Sequence, residues 1–108
     1  METKKIDKKN NCEMQSALEV LGGKWTFLIV YTLLDGTKRF KELERAVSGI
    51  STRMLVKELK SLEAHGIVNR KAYATIPPTV EYTLTEKGLQ LEATMRELNT
   101  WTTSWFSI

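Results

Sequence analysis

Ile50-Ser51-Thr52-Arg53-Met54-Leu55-Val56-Lys57-Glu58-Leu59-Lys60-Ser61-Leu62-Glu63-Ala64-His65-Gly66 is the stretch whose reading decides the fold. Ser51 can cap a helix, its hydroxyl accepting from an unpaired first-turn amide. Ile50 and Leu55 are spaced as a hydrophobic staple across that cap. Gly66 can adopt the left-handed conformation that ends a helix. At about 100° per residue, Leu55, Leu59 and Leu62 fall on one side, and Arg53, Lys57 and Lys60 on the opposite side. Such a helix docks by its leucines and offers its cations outward.

Outward from Gly66 the period changes from helical to two. Val68, Arg70, Ala72 and Ala74 alternate with Asn69, Lys71, Tyr73 and Thr75, and Val80, Tyr82 and Leu84 alternate with Glu81 and Thr83. Both segments have the spacing and composition of strands. Pro77-Pro78 cannot donate to a ladder and marks the connection. Upstream, Lys41 to Val47 reads as a short helix, with Ser48-Gly49 as the turn into the Ser51 helix. Two helices at that spacing form a helix-turn-helix. With a hairpin behind it, the expected fold is α+β: a winged helix-turn-helix domain with added N- and C-terminal helices. In that arrangement the second helix enters the major groove.

The charge is distributed to match. Of a formal net charge of +3, the segment from Gly36 to Tyr73 carries nine Lys or Arg against four Glu, while the remainder has seven cations and nine anions. Clustered positive charge attracts phosphate. Arg53, near the start of the helix, is placed to bind guanine O6 and N7. Ser51, Thr52, Val56 and Lys57 lie along the same groove-facing surface. Lys60, Lys38, Arg39, Lys41, Arg70 and Lys71 are placed for phosphates.

A first helix is expected from about Glu13 to Leu21, with Met14, Ala17, Leu18 and Leu21 on one side. Gly22-Gly23 breaks it. A second helix runs from near Lys24 to Asp35-Gly36, with Trp25, Leu28, Ile29 and Leu33 as core. Thr37 to Phe40 is a short strand or turn. The last helix opens at the cap Thr85, stapled by Leu84 and Leu89, and carries a stripe of Leu91, Met95, Leu98, Trp101 and Trp105. Three readings of that stripe stand: packing on its own domain, a subunit interface, and a membrane surface. The subunit interface is favoured, because a terminal helix this aromatic has little room in a core this small; the membrane surface fits poorly, because this helix has more Glu than cations and anionic lipid wants the reverse.

The chain of 108 residues fits one domain, 12–108, preceded by a flexible basic arm, 1–11. The arm lacks the apolar core of a signal peptide. The longest apolar run, Trp25 to Leu34, is too short to span a bilayer. A cytoplasmic protein is expected. One cysteine excludes an intrachain disulfide. One Cys and one His do not make a metal site, Gly22-Gly23 lacks a phosphate-loop fingerprint, and no nucleophile has an evident base partner. No metal, no cofactor and no enzymatic activity are expected. His65, near a helix end, reads as structural.

Taken in order, the landmarks resemble the HxlR family of bacterial winged-helix transcriptional regulators. They are Cys12, Gly22-Gly23-Lys24-Trp25, Arg39-Phe40-Lys41-Glu42-Leu43, Gly49-Ile50-Ser51 with Met54-Leu55, Leu59-Lys60-Ser61-Leu62-Glu63, and Gly66-Ile67-Val68 with Arg70. Pro77-Pro78, Val80 through Gly88 and Trp101 complete the set. The resemblance implies a homodimer held by its terminal helices, binding double-stranded DNA at an inverted-repeat operator in a promoter. It also implies that Cys12 senses electrophiles or oxidants, as in some members, although Glu13 stands where many members have proline. Read from the residues alone, Cys12 is either a small filler at the start of the first helix or a sensor near a helix N-terminus and Lys8 and Lys9. A small-molecule effector is the other signal considered. Two rival functions are a winged-helix protein–protein adaptor without sequence-specific DNA binding and a structured-RNA binder. The clustered charge argues against the first, and the lack of an aromatic sheet face against the second.

Overall fold

The computed structural model describes residues 8–106. Six helices and three strands follow in the order α1 (Lys8–Leu21), α2 (Thr26–Leu33), β1 (Lys38–Arg39), α3 (Phe40–Ala46), α4 (Thr52–Ala64), β2 (Val68–Tyr73), β3 (Thr79–Leu84), α5 (Glu86–Leu89) and α6 (Glu92–Phe106).

Helix α4 has the ends its sequence dictates. The Ser51 hydroxyl accepts from the Met54 amide at 3.1 Å. His65 closes the last turn, its Nδ1 2.7 Å from the Ser61 carbonyl oxygen, and Gly66 follows at φ 73°. A side chain at that φ is strained, which is why glycine stands there. Leu55, Leu59 and Leu62 are buried among Ile29, Leu33 and Leu43 of α2 and α3.

The sheet is antiparallel in the order β1-β3-β2. Val68 pairs with Leu84 and Tyr73 with Thr79, while Lys38 pairs with Tyr82 on the other side of β3. The alternation expected of β3 holds, with Tyr82 and Leu84 buried. In β2 only Val68 is buried. The hairpin leaves the body after its first pairs, so the outer residues of β2 meet solvent on both faces.

Several elements depart from the sequence expectations. Helix α1 begins at Lys8, inside the expected arm; residues 1–7 of that arm lie outside the described residues. Helix α2 buries Thr26, Ile29, Val30 and Leu33, a complete i, i+3, i+4, i+7 face. Leu28 lies off that face and is 45% exposed, and Trp25 is half-buried, so neither is the fully buried core residue expected. The last helix is two helices. Thr85 caps α5, accepting from the Gly88 amide at 3.1 Å, but the helix stops at Leu89 and restarts at Glu92. Leu84 is buried and Leu89 exposed, so the expected staple does not close. Gly88 passes so near the chain that a Cβ there would sit 2.5 Å from the Ile67 carbonyl oxygen.

Helix α6 lies mostly outside the core. Met95 is its buried residue, and Leu98, Trp101, Trp105 and Phe106 are exposed. The Cα radius of gyration is 15.9 Å, against about 13 Å for a compact chain of this length. No helix among the described residues is long and apolar enough to cross a membrane.

Candidate nucleic-acid interface

The leucines of α4 fix which of its side chains face outward. Arg53, Lys57 and Lys60 are all exposed, as are Arg39, Lys41, Arg70 and Lys71; Lys38 is half-buried. The one ion pair among the described residues, Arg96 with Glu92, is on α6. The cations around α4 therefore keep their charge unpaired toward solvent. Lys71 lies over the Tyr73 ring, its Nζ 5.0 Å from the centroid, a contact that holds the ammonium without neutralising it.

Two of the expected groove-facing residues also have structural work. The Ser51 hydroxyl oxygen is the cap of α4, which uses one of its two lone pairs and leaves its donor hydrogen and the other lone pair free for a base or phosphate. The Thr52 hydroxyl donates to the Glu44 carboxylate of α3. This bond ties the two helices of the helix-turn-helix together at the end of α4 that carries Arg53. Val56, three residues on from Arg53, borders the groove-facing surface and also lines a cleft of about 460 Å³ between α4 and the hairpin, with Phe40, Leu59, Lys60 and Arg70.

A second groove, of about 900 Å³, runs between α3 and the hairpin loop, lined by Arg39, Lys41, Arg45, Pro77 and Pro78. Arg45 was not singled out from sequence. The signal was present, since it follows Lys41 by four residues and so shares its helix face. Two carboxylates were also missed, Glu44 on Thr52 and Glu58 on Thr26, because their partners are set by tertiary packing.

Cys12 is exposed. With α1 starting at Lys8, the thiol lies in the second turn, so the expected place at a helix N-terminus does not hold. The field of a helix end falls off within its first turn. Among the described residues no group of three or more His, Cys, Asp or Glu is placed to hold a metal ion.

The chain matches the HxlR-like helix-turn-helix family over residues 20–108. It belongs to the HxlR family. Its HxlR relatives include the HTH-type transcriptional regulator YybR of Bacillus subtilis, 44% identical over 93 residues, covering 86% of this chain and 74% of that protein. The redox regulator HypR in its reduced form superposes with a TM-score of 0.82 at 42% identity, covering 88% of this chain and 94% of that one. The reduced form of the transcriptional regulator YodB from B. subtilis gives 0.75 at 42% identity, covering 88% and 93%. The family is one of helix-turn-helix transcriptional regulators, not of enzymes, and its fold is the winged helix expected from the sequence.

Proposed function

We propose that this HxlR-family protein is a sequence-specific regulator that binds promoter DNA in the cytoplasm as a homodimer, at an inverted-repeat operator. The observation that carries the reading is the set of exposed, unpaired cations on α4, α3 and the hairpin around a helix whose opposite face is locked into the core. Two copies of α4 related by a dimer axis would read half-sites about one helical turn apart. Arg53 supplies the base contact; Ser51 and Lys57 accompany it in the groove, with the Thr52 methyl group. Lys60, Lys38, Arg39, Lys41, Arg70 and Lys71 hold phosphates, and Arg45 joins them across the second groove. Leu98, Trp101 and Trp105, the exposed part of the expected stripe, form the subunit interface, with half-buried Leu91 at its edge; Met95 is taken up by the chain's own core.

The test is to incubate the reduced protein with fragments of its own genome at about 150 mM salt, the ionic strength at which exposed charges are screened within about 8 Å, and to sequence what it retains. A few fragments sharing an inverted repeat are expected. Retention that is indiscriminate and vanishes with salt would leave the adaptor reading in its place. On the recovered operator, Arg53→Ala is expected to cost about 1–3 kcal/mol and to relax specificity at one base position. An unchanged preference at every position would remove Arg53 from base reading. Lys71→Ala is expected to weaken binding to all sequences alike and to lower the salt slope by about 1. A specificity change with an unaltered slope would contradict its phosphate role.

A second reading concerns the signal. The redox regulator HypR is similar to this chain in both its reduced and its oxidised form, and the exposed Cys12 thiol is open to oxidation. We propose that an oxidant or electrophile acts at Cys12 to release DNA. Cys12→Ser protein is expected to stay bound to its operator on diamide or quinone treatment; release as in the wild type would transfer the signal to a small-molecule effector site.

A further inference from the structure

We propose that Glu58 is the positioning residue of α4: by taking the hydroxyl of buried Thr26, it fixes the rotation of that helix about its own axis and so the aim of Arg53. This rests on the reading of α4 as the DNA-reading helix. The Thr26 hydroxyl donates to Glu58 Oε2 at 2.7 Å, joining the first residue of α2 to the middle of α4. Thr26 is 3% exposed, so its donor has no access to bulk water in the folded chain. Glu58 is half-buried.

The contacts of α4 show why a directional bond is needed. Its docking face is three leucines, and apolar burial is non-directional. A leucine stripe tells the helix which side to bury without fixing its roll to within a few degrees. At about 100° per residue, Glu58 lies roughly 70° to one side of the stripe and Val56 roughly 90° to the other. On the Glu58 flank the helix is tied to α2. On the Val56 flank it meets the cleft of about 460 Å³ that separates it from the hairpin. The helix is thus anchored on one flank and has open space on the other. With side chains, a helix is about 10–12 Å across, so a roll of about 10° moves a groove-facing tip by about 1 Å. Such a displacement spoils a bidentate contact to a base, whose geometry is fixed. A lysine on a phosphate tolerates it. The Thr52–Glu44 bond holds the N-terminal end of α4; Glu58 holds its middle, and the two together leave no free roll.

The experiment measures the ratio of affinities for the operator fragment retained by the wild type and for a scrambled duplex of the same length. Four variants are compared, each first shown to be folded by circular dichroism and thermal melting. Glu58→Ala and Glu58→Gln remove the same negative charge, but the glutamine amide oxygen can still accept from Thr26. Thr26→Val removes the donor without touching any charge, and Thr26→Ser keeps it. Glu58→Ala and Thr26→Val are expected to lose about tenfold in the ratio, within the range carried by one bidentate base contact, with the salt slope of non-specific binding unchanged. Glu58→Gln and Thr26→Ser are expected to keep the wild-type ratio. If all four match the wild type, or if Glu58→Gln is as deficient as Glu58→Ala, the positioning role is overturned while the DNA reading stands. A wild type that prefers no fragment overturns that reading and this proposal with it. Should Glu58→Ala fail to fold, the contrast of Thr26→Val with Thr26→Ser decides alone.

Discussion

Leu59→Ala is expected to destabilise the fold by about 2–5 kcal/mol, the loss found when a fully buried leucine is truncated in a core that cannot close around the gap. Leu59 is 2% exposed and sits midway along α4, between Leu55 and Leu62. On its outer side is the cleft between α4 and the hairpin, which it helps to line. Truncation therefore joins the core to a solvent-filled cleft, and the neighbouring side chains cannot close the gap without moving the wing. A domain of this size shifts its melting temperature by about 4–8 °C per kcal/mol, so a drop of at least about 8 °C is expected at fixed protein concentration. Val56→Ala, one turn earlier on the exposed flank, is the comparison and should change stability by less than about 1 kcal/mol. Equal effects of the two would mean that α4 docks by a different face, and the outward placement of Arg53, Lys57 and Lys60 would go with it.

That pair of residues also shows what the sequence could and could not convey. Leu59 belongs to a three-residue periodic stripe between a serine cap and a terminal glycine, so its burial follows from local pattern alone. The wing was legible for the same reason in β3, where Tyr82 and Leu84 alternate with polar residues and are buried. In β2 the strand was legible but not its exposure, because alternation reports two faces and not whether a body lies under either of them. The Thr26–Glu58 and Thr52–Glu44 bonds were invisible. A threonine at a helix start and a glutamate on a helix flank are ordinary residues until packing brings them together. The break between α5 and α6 escaped because no proline or glycine marks it: Leu91 lies in the break itself, and the helical spacing from Leu91 to Met95 and Leu98 reads as one continuous helix. The start of α1 at Lys8 was missed because the polar Lys8 to Asn11 has no apolar period to read, and such a turn is carried along by the amphipathic residues that follow it.

Trp101→Asp is expected to convert the protein from dimer to monomer at micromolar concentration, and to weaken operator binding far more than binding to a scrambled duplex. Trp101 is 52% exposed and Trp105 74% exposed on α6, and Trp101 meets Phe106 edge to face at 5.6 Å between ring centroids. On α1, Met14 and Leu18 are 58% and 59% exposed. Two terminal helices that each present large apolar side chains to water, on a chain more extended than its length requires, support the proposed subunit interface. Buried aromatic anchors at such interfaces are worth about 2 kcal/mol or more when truncated, a factor of about thirty in association, and a carboxylate placed there adds an unpaired charge to what must be buried. The DNA consequence follows from geometry. A dimer places two copies of α4 on one duplex and neutralises twice as many phosphates, so the monomer should show about half the salt slope of the wild type. Sedimentation velocity on both proteins checks the assembly, and salt titration on operator DNA checks the linkage. A Trp101→Asp protein that remains dimeric moves the interface off α6. One that is monomeric yet binds its operator with the wild-type slope means that a single copy of α4 suffices, and the inverted repeat would then reflect two independent binding events.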